Sequence, residues 1–183
     1  MSASTIKKIV VIGPESTGKS FLCEQLSQHY QTFWCPEFAR NYLLSNGTHY
    51  QYEDLLTIAK GQIELEEEIF RQFNRYDHTI PYFIDTDMYV MKVWSEYVFG
   101  TCHQYILNQI AERNYDGYLL CKPDIPWEED PLRVYPDEAT RVCLYHHYRD
   151  ALVHQSLPWM EISGDYTQRF ETAVRFTDGL LRG

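Results

Sequence analysis

Residues 13 to 20, GPESTGKS, follow the pattern G-x-x-x-x-G-K-[ST] and stand directly behind the apolar run IVVI. Glycines at the two fixed positions let a loop wrap closely enough for its backbone N–H groups to point at phosphate oxygens. A helix N-terminus behind the loop adds partial positive charge, the lysine bridges the outer phosphates, and the hydroxyl ligates magnesium. Gly13, Glu15, Ser16, Thr17, Gly18, Lys19, Ser20 and the following Phe21 are therefore the expected nucleotide-binding set, with ATP and Mg2+ as the ligands. A tight glycine turn without a ligand would not require Lys and Ser to follow it. Glu15 is the awkward member: a carboxylate beside phosphates is repelled, so it is expected to point out of the loop into solvent, with a substrate contact as the alternative.

A phosphate loop of this kind needs a second magnesium anchor, an acid at the tip of a neighbouring strand. Asp85 in FIDTD ends an apolar run and is assigned that role beside Ser20. Asp87 lies two residues on, where either it or Thr86 could simply cap the next helix. Glu37 ends another short apolar stretch, and a carboxylate at the same sheet edge could accept the proton of an attacking hydroxyl. Its alternative is an ion pair with Arg40, one helical turn away. Arg133 and Arg141 fall in or just after a long irregular segment and could close over the transferring phosphoryl group, neutralising its charge while closure expels water. They could instead pair with Glu128, Glu129, Asp130 or Asp137. Arg149 and Arg169 are expected to be structural. CKPD, residues 121 to 124, resembles the guanine-reading [NT]KxD motif of GTPases, but Cys121 cannot supply the amide and no DxxG follows FIDTD.

These groups can meet only if the elements between them bring them to one edge. Residues 6 to 12 read as a central strand buried on both faces, and Lys19 to about Tyr30 as a helix. Further strands are expected at 32–37, 81–85, 117–121 and around WMEIS. Helices are expected at 38–45, 52 to about 75, 88–99, 103–114, from a cap at Asp137 to about 154, and after a cap at Asp165. Strands separated by helices, with no meander, predict an α/β three-layer fold: a parallel five-stranded sheet with helices on both faces. The chain reads as one domain, 1–183, with a lid segment at about 122–141, since a structureless stretch of this length is usually a lid or binding loop.

A net charge of −10 argues against a nucleic-acid partner, because an acidic surface repels a polyanion. The acid concentrates in IELEEE, read as the solvated face of a helix, and in PDIPWEED. The five cysteines are odd in number and widely spaced, which suggests neither a disulfide framework nor a zinc site. Cys143 and His147 share a helix face but lack a third ligand. With no long apolar run and no apolar leader before the first strand, a soluble cytoplasmic chain without membrane contact is expected.

Taken together, GPESTGKS, PEFAR, YEDLLTIAKGQ, FIDTD, WSEYVFG, PDIPWEEDPLR and Arg141 resemble the nicotinamide riboside kinase domain of NadR-type proteins and their stand-alone relatives, in order along nearly the whole chain. The resemblance implies a P-loop nucleoside-kinase-like fold and the reaction of ATP with nicotinamide riboside to give nicotinamide mononucleotide, a step of NAD biosynthesis. It also implies Glu37, Arg40, Asp85, Asp87, Trp127, Asp130 and Arg133 as site positions. Two departures qualify it. The adenylyltransferase domain of bifunctional members, with its H-x-G-H motif, is not among these residues, so the kinase step alone is implied. Family members also place a tryptophan before the glutamate that matches Glu37, where this chain has Pro36. Trp94, Trp127 or a tyrosine would then supply the ring for a pyridinium cation, although for Trp94 packing in the core with Val90 and Val98 is the expectation. Phosphorylation of another nucleoside or nucleoside monophosphate, and an ATP-binding sensor without phosphotransfer, are the remaining readings.

Overall fold

The computed structural model describes residues 6–72 and 79–182. Five strands form one sheet: β1 (Ile6–Ile12), β2 (Trp34–Cys35), β3 (Ile80–Asp85), β4 (Gly117–Cys121) and β5 (Trp159–Ile162). Their order is β2-β3-β1-β4-β5, and every neighbouring pair is parallel. Among the described residues seven helices connect and cover them: α1 (Lys19–His29), α2 (Phe38–Asn46), α3 (Tyr52–Gln72), α4 (Met88–Phe99), α5 (Gln104–Glu112), α6 (Glu138–Val153) and α7 (Tyr166–Arg182).

The alternation of β1 sets the layers. Ile9 and Val11 point to one face and pack with Leu22, Cys23 and Leu26 of α1 and Ala173 of α7. Val10 and Ile12 point to the other and pack with Val90 and Val93 of α4 and Leu144, Tyr148 and Leu152 of α6. A strand apolar on both sides is what two helical layers require, and each fully buried aliphatic side chain contributes roughly 1.5–3 kcal/mol. A third cluster, built from α2, α3, α4 and α5, includes Ala39, Leu55, Ile58, Met91 and Ile106 and extends the sandwich beside β2.

Several expected boundaries move. The second strand shrinks from 32–37 to Trp34–Cys35, because Pro36 has no N–H to continue an edge ladder. The fifth helix starts one residue late and ends at Glu112, with His103 as its N-cap. The tail of the third predicted helix, residues 73–75, lies outside the described residues. Asp137 accepts the N–H of Thr140 at 2.7 Å. Asp165 and Gln168 form a reciprocal capping box at the start of α7, at 2.9 and 3.0 Å.

The acidic run in α3 is a correction. Glu64, Glu67 and Glu68 are exposed, but Glu66 is buried. It receives Lys8 at 3.0 Å, Arg113 at 2.5 Å and the Tyr115 hydroxyl at 3.0 Å, forming a closed ion network at the N-terminal end of the sheet. No helix among the described residues is long and apolar enough to cross a membrane.

Candidate active site

The chain leaving the carboxyl ends of β1, β2 and β4 lines one cavity of about 960 Å³, and the tip of β3 reaches it through the bond from Ser20 to Asp85. The loop after β1 bends so sharply that Gly13, at φ +146°, lies against β4: a Cβ there would stand 2.6 Å from the Cys121 carbonyl oxygen. Only glycine fits. Gly18, at φ +74°, is the N-cap of α1, so the helix amides open onto the loop. Lys19 rests its ammonium on the Pro14 carbonyl at 2.9 Å, and the Thr17 hydroxyl donates to the same oxygen at 2.8 Å. Arg169, expected to be structural, spans the back of the loop: it donates to the carbonyls of Thr17 at 3.1 Å and Lys122 at 2.8 Å and pairs with Asp124.

Asp85 is fully buried at the tip of β3 and accepts the Ser20 hydroxyl at 2.5 Å. Burial raises its pKa, and Lys19 and then the Ser20 bond oppose the rise. Thr86 follows at φ +76°, a strained conformation for a β-branched residue. Its N–H is held by the Val11 carbonyl at 3.2 Å. This turn aims Asp85 at the phosphate loop and releases Asp87 toward α4. Asp87, rather than Thr86, caps that helix, accepting the N–H groups of Tyr89 at 2.9 Å and Val90 at 3.4 Å and the Tyr118 hydroxyl at 3.0 Å. Burial pushes it up to about 7. It is buried beneath the turn and is not on the cavity wall.

Glu37 lines the cavity at the end of β2. Burial first, and the Asp85 carboxylate second, push its pKa up to about 7, against Lys19 and Arg40. Arg40 does not pair with it: the guanidinium reaches across to Asp130 at 2.8 Å. Trp94 both lines the cavity and packs against the helical cluster of α2 to α5, with its indole N–H donating to the Tyr50 hydroxyl at 2.8 Å. Trp127 is off the cavity wall, with the Arg133 guanidinium 6.0 Å and that of Arg141 5.5 Å from its ring. Arg141, in α6, is buried, and its Nε and Nη1 have no hydrogen-bond partner. Arg133 lines the cavity and donates to the Glu128 carbonyl at 2.6 Å, while the Glu128 carboxylate stays 4.0 Å away.

Glu15 does not point freely into solvent: it is half-buried on the cavity wall. Its Oε2 accepts the N–H groups of Val134 at 2.9 Å and Tyr135 at 3.2 Å, in the segment after β4. Phe21 lines the cavity and stands edge-on to Tyr166, ring centroids 5.3 Å apart. Sequence reading missed Tyr166, Tyr50, Tyr135 and Tyr148 on the wall. Tyr166, just past the tip of β5, could have been found by asking what every strand end presents; the others carry no local signal.

A family profile described as AAA domain matches residues 8–169. The chain belongs to this AAA domain family. The chain is 24% identical over 181 residues to the trifunctional NAD biosynthesis/regulator protein NadR of Salmonella typhimurium. That match takes in 96% of this chain and 43% of the relative, so the chain spans less than half the length of the curated protein it resembles. Among solved structures, NadR protein in complex with NR superimposes with a TM-score of 0.77 at 19% identity, covering 99% of this chain and 50% of the other. Thymidylate kinase from Ehrlichia chaffeensis gives 0.64 at 15% identity, covering 93% and 98%. At these identities the likeness establishes the fold alone.

Proposed function

We propose that this AAA-domain chain is an ATP-dependent phosphotransferase acting on the 5′-hydroxyl of nicotinamide riboside to give nicotinamide mononucleotide. The observation that carries the reading is the convergence of three strand ends: Ser20 of the phosphate loop and Glu37 after β2 line one cavity, and Asp85 at the tip of β3 sits directly behind that wall, bonded to the Ser20 hydroxyl. The NadR relatives, one of them solved with NR, and the nucleoside-kinase fold point the reading to this acceptor.

Ser20 and Asp85 fit magnesium, because they are two hard oxygen donors already in contact, one anionic, beside the phosphate cradle. Bound there, the ion would neutralise charge on the outer phosphates. The protein's own groups supply the rest. Backbone N–H groups of the loop and the Lys19 ammonium hold the phosphates, Lys19 exchanging the Pro14 carbonyl for phosphate oxygen. Glu37 accepts the proton of the 5′-hydroxyl as its oxygen bonds to the γ-phosphorus and the bond to the bridging oxygen breaks, releasing ADP. A base with a pKa raised to about 7 is matched to that task near neutrality. Arg133 faces the charge that spreads over the transferring group, and the 122–136 segment over the loop keeps water out. The cavity tyrosines and Trp94 offer aromatic faces to a pyridinium.

The test is ADP release with magnesium and a panel of nucleosides. Release stimulated by nicotinamide riboside, with a product heavier by one phosphoryl group, is the expected result. No stimulation by the riboside overturns the reading, and preferential turnover of thymidine or dTMP transfers it to the thymidylate-kinase-like alternative.

A further inference from the structure

The segment between β4 and α6 is fastened to the phosphate loop by side chains of that loop. Glu15 accepts two consecutive backbone N–H groups, those of Val134 and Tyr135, on one oxygen at 2.9 and 3.2 Å. Its neighbour Ser16, at φ +54°, turns its hydroxyl the same way and accepts the Glu128 N–H at 2.9 Å and Arg133 Nη1 at 3.4 Å. The two contacts bracket Arg133 from both sides in sequence. A third tie, Arg40 to Asp130 at 2.8 Å, links the same segment to α2. Glu15 and Ser16 fill two of the four variable positions of G-x-x-x-x-G-K-[ST]. The phosphate-binding pattern leaves these open, so their chemistry is free for another use. A carboxylate among phosphates needs such a use to offset its repulsion, and Glu15, on the cavity wall, has its Oε2 engaged by backbone donors of the lid.

We propose that Glu15 and Ser16 form a latch that couples the closed lid to the phosphate loop, with Glu15 a positioning residue that acts through Arg133. The inference rests on the phosphotransfer reading above. Because the latch grips main chain, it fixes the lid's register whatever side chains the lid carries. Arg133 then has a set approach to the transferring group, and an acceptor alcohol rather than water occupies the position in line with it. When the latch opens, Arg133 is displaced and water enters. Water can then attack the γ-phosphorus in place of the alcohol, yielding ADP and inorganic phosphate.

The experiment compares wild type with Glu15→Ala and Glu15→Gln, and with the lid-side variant Val134→Pro, which removes one donor and leaves the phosphate loop untouched. The activity-independent readout is amide exchange in the ligand-free protein. Each hydrogen bond to a charged acceptor contributes a factor of roughly ten or more. Exchange at Val134 and Tyr135 is therefore expected to accelerate at least ~10-fold in Glu15→Ala, while the Thr140 amide, capped by Asp137, does not change. In turnover, Glu15→Ala is expected to lose ~10²-fold in kcat for transfer, the cost of a displaced catalytic group. It is also expected to release a larger share of phosphate as inorganic phosphate. Glu15→Gln, which keeps an acceptor oxygen, recovers most of the coupling, and Val134→Pro shifts the product ratio in the same direction as Glu15→Ala. Unchanged exchange at the two amides overturns the latch, as does a lower kcat with no rise in the inorganic phosphate share. If wild type shows no riboside-dependent ADP release but the exchange result holds, the latch stands and the phosphotransfer reading falls.

Discussion

Replacing Glu37 with glutamine is expected to make the protein slower and more stable at once. In the folded chain the Glu37 carboxyl holds its proton up to a pH of about 7, against 4.5 for an unperturbed group. Between those values the folded state binds a proton that the unfolded chain has released, so stability falls as pH rises through this window. Below it the effect is absent; above it the full penalty remains, up to roughly 3 kcal/mol at 1.36 kcal/mol per pK unit. Glutamine carries no such charge. In thermal melts of the ligand-free protein at pH 8, Glu37→Gln is expected to unfold ~6–12 °C above wild type, at 2–4 °C per kcal/mol for a chain of this size. At pH 5 the gap closes to ~2–3 °C. Turnover moves the other way. Loss of a general base costs ~10²–10⁴-fold, and the wild-type rise of kcat/KM with pH, levelling near pH 7, flattens in the variant. Full turnover in Glu37→Gln refutes the base assignment; a lower melting temperature than wild type at pH 8 refutes the reasoning from burial and the Asp85 charge.

Three further outcomes are expected. Gly13→Ala forces a side chain to within 2.6 Å of the Cys121 carbonyl at φ +146°, and calorimetry should show a loss on the order of 2–4 kcal/mol. Glu66→Ala leaves Lys8 and Arg113 without their buried partner and should cost ~3–5 kcal/mol in urea unfolding, with kcat of the folded fraction changed less than twofold. Chelating magnesium should weaken ATP binding, measured by titration calorimetry, by at least ~10²-fold, because one like-charge contact at ~4 Å costs roughly 4 kcal/mol near a protein surface. Asp85→Asn should weaken the magnesium-bound form while tightening metal-free binding; equal affinity with and without chelator would count against the metal role of Ser20 and Asp85.

What could be read from the chain, and what could not, divides by range. The strands β1, β3 and β4 and the helices α1, α4, α6 and α7 announce themselves through local pattern: buried apolar runs, turn residues and the caps Asp137 and Asp165. The phosphate loop is legible for the same reason, as all its parts lie within eight residues. Asp87 was half legible: its cap bonds reach two and three residues, but the Tyr118 hydroxyl that holds its other oxygen is 31 residues away. Glu66 looked like one more solvated acid because its partners lie 47 to 58 residues off. Glu15 was misread toward solvent because its two donors are 119 and 120 residues distant. Trp127 carried no local sign that arginines from a loop and a helix would occupy its faces.

The same side-chain chemistry thus serves two ends at opposite edges of one sheet, and satisfaction of the carboxylate separates them. At the N-terminal edge Glu66 is met by an ammonium, a guanidinium and a phenol, and nothing is left for a ligand to do. At the carboxyl edge burial outweighs the available partners. Asp85 has hydroxyl donors in Ser20 and Thr86, and both it and Glu37 keep pKa values raised by desolvation that Lys19 only partly offsets. Thr86 and Ser16 add backbone strain at the same edge. Such an arrangement lowers stability and persists only because the β1-centred core on both faces over-determines it. A bound cation and phosphates would supply to Asp85, Lys19 and the loop amides what the protein withholds, which is the physical ground for proposing the under-paired edge as the binding edge.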